Sequence, residues 1–389
     1  MMRLSTLQTW KIKCGIGITG VSLLLLQYLR SNNMVYTSFV SMPDPCTKPR
    51  RKTGVEDLLC MEPPQFFKQY KNPCWMYKET FRCLPYFHLI GNAKCGTTDF
   101  FQRINLHPDI LPNTGFFQKE TYYWSRSRLR LRKSNGEFVP LKTFEQFTDF
   151  FRGPDIRESA TENGYHYKIT GLGDAVDFYD RSDEENLPQN TPDAEEILWT
   201  TPHIIKHIQP NVKLLLILRD PIERLYSHYF HGRFGDSSLT FHNHTVQSIG
   251  ILQECFKLHS VRHCLFSKSV TDNLKMPIYA SFDIVHLREW LKAFPREQIM
   301  IFRTEDFTKN IQGYLIQVFK FLDISVPNNT ILQKMSSMPH FRITYDKIKA
   351  GPMLPETRNL LKKLFQPFVS ELAAYLHDDR YLFCDTNFC

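Results

Sequence analysis

The chain has 389 residues, 42% of them apolar and 14% aromatic, which excludes a disordered or fibrous polymer and is ample for a sizeable core. Its net charge is +8, but residues 1–52 carry eight Lys/Arg against the single acid Asp44, so all but one unit of the excess sits at that end. The near-neutral remainder gives no reason to expect nucleic-acid binding by the main body.

The first predicted element is the uncharged run Cys14–Leu29, "CGIGITGVSLLLLQYL", preceded by Lys11 and Lys13 and closed by Arg30. No small-x-small cleavage site follows it, so it reads as a signal anchor rather than a cleaved signal peptide, which would deliver the body to the same compartment. Positive charge on its N-terminal side favours a cytoplasmic tail, residues 1–13, and a lumenal body. A Pro-bearing basic stem with a Cys-bearing lead-in, residues 30–84, then precedes the main domain, residues 85–389.

Ten cysteines fit an oxidising compartment. Cys14 lies in the apolar run and Cys95 in a loop described below. The other eight fall into neighbours: Cys46/Cys60, Cys74/Cys83, Cys255/Cys264 and Cys384/Cys389. Spacing alone leaves open whether these are disulfides or buried thiols. No C-x-x-C pair suggests zinc, and no metal is expected. Asn243-His-Thr and Asn328-Asn-Thr are glycosylation sequons.

"YFHLIG" (86–91) predicts a buried strand, and "TTDFFQRINLH" (97–107) a helix with Thr at its start as a cap. "RSRLRLRK" puts Arg126, Arg128, Arg130, Arg132 and Lys133 in alternation, as on one face of a strand. "DFYDRSDEENLPQNTPDAEE" (177–196) predicts a solvated acidic loop. "VKLLLILRDP" (212–221) is the strongest strand signal, followed by a helix with Pro221 at its first position. "QIMIFRTEDF" (298–307) predicts a third strand; residues 311–324 and 356–377 predict amphipathic helices. Strands alternating with helices predict an α/β fold, a parallel sheet covered on both faces.

"GNAKCGTTDF" (91–100) joins a strand to a helix, where free backbone N–H groups and the helix dipole favour an anion. Gly91 and Gly96 allow close approach, Lys94 brings charge, and Thr97 and Thr98 bring hydroxyls. Lys94 precedes the second glycine, so a Mg-nucleotide P-loop of the form G-x-x-x-x-G-K-[ST] fits poorly. In "LRDPIERLYSHYF", Arg219 lies past the end of the strong strand and Ser227 lies about two helical turns on, a pair able to clamp a second phosphate.

These two motifs, with "KCGTTD", "KETYYWSRSR", "RDPIERLYSHY", the Cys255/Cys264 pair and "AGPMLPETRNLL", resemble the carbohydrate sulfotransferases that use 3′-phosphoadenosine 5′-phosphosulfate (PAPS), over about Leu84 to Leu376. The resemblance is greatest to the branch that sulfates C6 of N-acetylgalactosamine 4-sulfate. It implies a P-loop-like sulfotransferase fold in a Golgi membrane protein whose acceptor is a sulfated glycosaminoglycan. It implies that Lys94, Cys95, Gly96, Thr97 and Thr98 hold the 5′-phosphosulfate. Arg219, Ser227 and the loop with Lys349, Ala350 and Gly351 would hold the 3′-phosphate. Glu120 stands in the place of the catalytic base, with Lys94 balancing charge on the leaving oxygen. Tyr122, Tyr123 and Trp124 would form an apolar wall and sugar platform, and Arg126 and Arg128 would bind the polyanionic acceptor. Heparan-type relatives carry a further Lys where this chain reads "GLGDAVDF" (171–178), with Asp174 near that position. Alternatives are a sulfotransferase for another position (uronyl 2-O, galactosamine 4-O or heparan), a silent glycan-binding protein on the same fold, or a nucleotide kinase.

Overall fold

Five parallel strands form the central sheet: β1 (Phe87–Gly91), β2 (Ile110–Leu111), β3 (Ile169–Leu172), β4 (Lys213–Leu218) and β5 (Ile299–Arg303), in the order β2-β3-β1-β4-β5. The computed structural model describes residues 43–47, 51–129, 141–181, 183–191, 194–341, 344–386 and 388. The expected tail and anchor, and with them Arg130, Arg132 and Lys133, lie outside the described residues. Among the described residues no helix is long and apolar enough to cross a membrane.

β4 shows why the sheet is covered twice. Leu214, Leu216 and Leu218 enter one core, and Leu215 and Ile217 enter the other. A strand with both faces buried needs an unbroken apolar run, and "KLLLIL" is one. On one face pack α1 (Thr97–Ile104), α7 (Thr304–Lys309) and α8 (Ile311–Phe321), through Phe100, Phe101, Phe307, Leu315 and Phe319. On the other pack α2 (Thr201–Ile208), α3 (Pro221–His231), α6 (Asp283–Ala293) and α10 (Pro355–Leu376), through Ile205, Leu225, Leu287 and Phe365. Between them α4 (Ser238–Leu258) and α5 (Val261–Phe266) form a corner, and α9 (Tyr345–Ala350) lies before α10.

The structure corrects four sequence expectations. The expected strand 298–307 stops at Arg303 and continues as α7, because the Thr304 hydroxyl turns in to donate to the carbonyls of Leu218 (3.0 Å) and Cys95 (2.8 Å). Thr97 does not cap α1; Gly96 does, at φ +79°, with no side-chain cap. The described part of the basic run is no strand: Tyr123–Ser127 is one π-helical turn, a form that recurs at functional sites. The acidic stretch is no solvated loop, since Asp177, Phe178, Arg181 and Glu184 are all buried. Part of its charge is absorbed internally, while Glu195 and Glu196 stay exposed. Arg181 pairs with Glu184 at 3.0 Å, and Glu184 accepts from the backbone N–H of Thr201.

Disulfides join Cys46–Cys60, Cys74–Cys83 and Cys255–Cys264, the last closing the corner between α4 and α5. Cys384 is also disulfide-bonded, and Cys389 lies outside the described residues. Cys95 is a buried free thiol. Asn243 lies mid-helix in α4, where Thr245 is buried and donates to the Phe241 carbonyl, whereas exposed Asn328 caps the short helix Asn329–Ser337.

Candidate active site

β1 is the central strand; the chain leaves it toward one edge of the sheet, to β2, and leaves its neighbour β4 toward the other, to β5, so the crevice between the carboxyl ends of β1 and β4 is a topological switch point. The loop that starts there is bent by two left-handed residues, Lys94 (φ +70°) and Gly96 (φ +79°), a backbone form that gathers N–H groups into an anion-binding concavity. α1 follows directly, leaving the N–H groups of Thr97 and Thr98 outside its ladder. Four side chains hold the loop in place. Asn92 donates to Ala280 O and Asp283 Oδ1, both at 2.9 Å. Arg219 donates to Lys94 O at 3.1 Å, Thr304 to Cys95 O, and buried Arg224 to Ala93 O at 3.4 Å. Cys95 points into the core, where burial pushes its thiol pKa well up, so its side chain supports the loop while its backbone serves the concavity.

Arg219 thus stands at the end of β4 against the same loop. Asp220 caps α3 by accepting from the N–H groups of Ile222 (2.8 Å) and Glu223 (3.2 Å). Ser227, buried, has its hydroxyl 3.4 Å from that of Thr344. Tyr226 donates to Gly351 O at 2.9 Å, and Lys347 meets Glu223 at 2.8 Å, so α9 and the 349–351 turn dock on α3. Ser227 and Gly351 are thus both tied to contacts of α3, and Arg219 stands at the end of β4 just before that helix. Lys349 is not so placed: its side chain is exposed, 4.0 Å from Asp346, and Lys347 is the lysine that reaches α3. Ala350 packs against the core. His228 accepts from Arg224 at 3.1 Å, and burial with that cation holds its imidazole neutral, its pKa well below the usual range.

Glu120 sits at the end of β3, the strand next to β1. Gly173 N–H donates to Lys119 O at 3.0 Å, and the buried Lys119 ammonium donates to Gly173 O at 2.6 Å. The same ammonium lies 2.5 Å from Glu120 Oε1, and the Tyr122 hydroxyl donates to Oε2. Asp174 fixes the following residues: its Oδ1 accepts from Thr121 N–H (2.9 Å) and its Oδ2 from the Thr121 hydroxyl (2.8 Å) and Tyr122 N–H (3.0 Å). Burial pushes the Asp174 pKa up to about 7. A carboxylate beside an anion cradle can take a proton from a hydroxyl that attacks a bound electrophile.

Three expected acceptor contacts are corrected. Trp124 and Tyr123 are core residues against Phe147, Tyr123 stacked on it at 4.3 Å and Trp124 edge-on at 5.2 Å between ring centroids, and present no wall to a sugar. Arg128 is also buried and donates inward, to Trp124 O and the Thr201 hydroxyl. Arg126 keeps a place beside the site, its guanidinium 5.2 Å over the Tyr122 ring. Sequence reasoning missed Lys119, Arg224, Thr304 and Tyr226, whose roles come from long-range pairing. Among the described residues one His/Glu group could hold a metal ion, Glu195 with His259 and His263, on the surface at the α4–α5 corner.

The sulfotransferase domain family model matches residues 85–359. Human carbohydrate sulfotransferase 15 is 29% identical over 311 residues, covering 77% of this chain and 54% of that protein. The membrane-associated sulfotransferase kil1 of Dictyostelium discoideum is 25% identical over 322 residues, 66% of this chain and 60% of its own. The mouse bifunctional heparan sulfate N-deacetylase/N-sulfotransferase 4 is 23% identical over 342 residues, 81% of this chain and 33% of its own. The chain spans about half the length of the human, rat and mouse carbohydrate sulfotransferase 15 proteins it matches, 54%. A sulfotransferase structure from Alicyclobacillus acidocaldarius aligns with TM-score 0.49 at 20% identity, over 76% of this chain and 97% of its own. The family match spans more than half of the chain and includes the anion loop, Glu120, Arg219 and Ser227: this chain belongs to the sulfotransferase domain family.

Proposed function

We propose that the chain transfers a sulfuryl group from PAPS to a glycosaminoglycan hydroxyl, C6 of N-acetylgalactosamine 4-sulfate in chondroitin or dermatan sulfate. One observation carries this: an anion concavity at the end of β1, a second cationic position at Arg219 and Ser227, and a carboxylate at the end of β3 share one edge of the sheet. The loop fits a phosphosulfate, because its two left-handed residues turn N–H groups outward and Lys94 adds charge. Arg219 with Ser227 fits a second phosphate, with Gly351 at its rim.

PAPS, when bound, supplies the sulfuryl group. Glu120 accepts the proton of the attacking hydroxyl, and Lys119 and Tyr122 hold its two oxygens in place. Lys94 and the α1 N-terminus stabilise charge on the departing phosphate. Cys95, buried and un-ionised, takes no chemical part. The similarity to carbohydrate sulfotransferase 15 supports a carbohydrate acceptor, and the C6 position rests on the resemblance of the sequence motifs to the branch that sulfates N-acetylgalactosamine 4-sulfate. The three disulfides support a lumenal body, and the apolar run 14–29 supports a Golgi membrane anchor.

The test uses labelled PAPS with a panel of desulfated and monosulfated glycosaminoglycans. Lys94→Ala and Arg219→Ala should each abolish transfer while the protein still folds. Glu120→Gln should slow the single-turnover rate by roughly 10²–10⁴-fold at unchanged PAP affinity. Near-normal transfer by any of the three would remove that residue from the reaction.

A further inference from the structure

The turn that carries Glu120 is strained and aromatic. Phe116 and Glu120 face each other in an antiparallel bridge and exchange both backbone hydrogen bonds, Phe116 N–H to Glu120 O at 2.8 Å and Glu120 N–H to Phe116 O at 2.9 Å. Residues paired in this way project their side chains from one face, Cβ atoms about 5 Å apart. Phe116 is 57% exposed. The ring of Phe117 lies 4.0 Å from it, and Phe341, 41% exposed, meets Phe117 edge-on at 6.0 Å.

The chain goes to some trouble to present these rings. Phe117 and Gln118 both hold φ +54°, a region that bulky residues avoid at about 1–3 kcal/mol each. The turn is bound to α1, since Gln102 donates to Phe117 O at 2.7 Å. Phe341 is tied to the same helix by its N–H, which donates to Asp99 at 2.8 Å. Gly115 is required for closure, because a Cβ there would lie 2.3 Å from Glu120 O. Exposed aromatic patches of this kind mark binding surfaces.

We propose that Phe116, Phe117 and Phe341 form the platform on which the acceptor's sugar ring lies, in place of the buried Trp124. The proposal rests on the sulfuryl-transfer reading of the site. A hydroxyl that gives its proton to Glu120 must come within about 3 Å of that carboxylate. A pyranose spans about the distance from Glu120 to the Phe116 side chain, so a ring that enters over that face rests on Phe116. A pyranose has polar edges but an apolar C–H face, which suits the electron-rich face of an aromatic ring. Stacking on the rings would present one edge of the sugar to Glu120, and with it one hydroxyl.

The full chain is tested with PAPS and a chondroitin 4-sulfate hexasaccharide. Phe116→Leu and Phe341→Leu should each raise the acceptor KM about threefold to tenfold and leave the KM for PAPS unchanged. Phe116→Trp should restore the acceptor KM, and its fluorescence should respond to the hexasaccharide alone but not to PAP alone. Acceptor KM values within about twofold of the parent in both leucine variants would overturn the platform and leave sulfuryl transfer intact. A dimer in sedimentation that the leucine variants break would also overturn it, assigning the rings to a second copy of the chain. Failure of the underlying reading is seen separately, as an unimpaired Glu120→Gln variant.

Discussion

At the scale of single residues, the least expected feature is Lys119, a fully buried lysine next to the candidate base. Burying an ammonium is costly unless it is paired and hydrogen-bonded, and Lys119 has a carboxylate and a carbonyl within 2.6 Å. Lys119→Met keeps the stem and removes the cation. The Glu120 carboxylate then loses one of its two holders, and transfer should fall on the order of 10²-fold with PAP affinity unchanged. A rate equal to the parent's would reduce Lys119 to packing. Asp174 adds a pH dependence. Its neighbours are His88, Asp177 and Glu120, and burial pushes its pKa up to about 7. The ionised form accepts three hydrogen bonds from residues 121 and 122; a proton gained as pH falls through 7 sets a donor against those donors. Transfer should therefore weaken on the acid side of neutrality. Asp174→Asn, which fixes the neutral form, should be slow throughout and lose that acid limb. An unmoved limb would assign it to another group.

At the scale of elements, three strand ends carry the site, those of β1, β3 and β4, and they were unequally legible in the sequence. β4 reads plainly because both its faces are buried and the run is all Leu and Ile. The loop after β1 reads plainly because its glycines and Lys94 are local in sequence. The turn 115–120 does not, because its shape is set by Gln102, Gly173 and the Phe116–Glu120 bridge. The acidic stretch misled for a related reason: Arg181 and Glu184 looked solvated but pair inside the fold. The basic run misled because Tyr123 and Trp124 are drawn into the core, which converts an apparent strand into a helical turn. β3 shows the coupling between element and site. A Cβ on Gly173 would lie 2.5 Å from Lys119 Cγ and 2.9 Å from Phe101. Gly173→Ala should therefore displace the Lys119 stem, destabilise by about 1–3 kcal/mol and slow transfer as Lys119→Met does. Thermal unfolding and single-turnover rates check this together. A stable, fully active variant would show that the stem has room to move.

At the scale of the whole molecule, buried titratable groups set the response to pH, and two sets oppose each other. Burial raises Asp174, Asp177 and Asp283 to about 7 and Asp183 to about 6, from 3.8. In the pH range between, the folded chain holds protons that the unfolded chain has released, so these groups make stability fall as pH rises. Burial lowers His88 and His203 to about 4 and His286 to about 3, from 6.5, and lowers His228 as well. Here the unfolded chain binds the extra protons, so stability rises with pH up to about 6.5. His107 joins the lowered set and Asp220 and Glu305 the raised one; the two sets oppose each other between about pH 4 and 6, so stability should change little there. Above 6.5 only the aspartates still titrate, and stability should decline gently until just past pH 7. Below about 4.5 further groups act, among them Glu223, held near 2 by Lys347 and Arg358, and Glu289, held well down by Arg262 and Lys292, each against its own burial; they gain their protons first in the unfolded chain and stability falls. Urea midpoints measured across pH 4 to 8.5, at constant ionic strength, give the curve directly. A midpoint that climbs steadily to pH 8 would show that the buried aspartates are ionised in the folded protein. A plateau that tilts upward with pH in Asp174→Asn, through loss of one member of the opposing set, would confirm the balance.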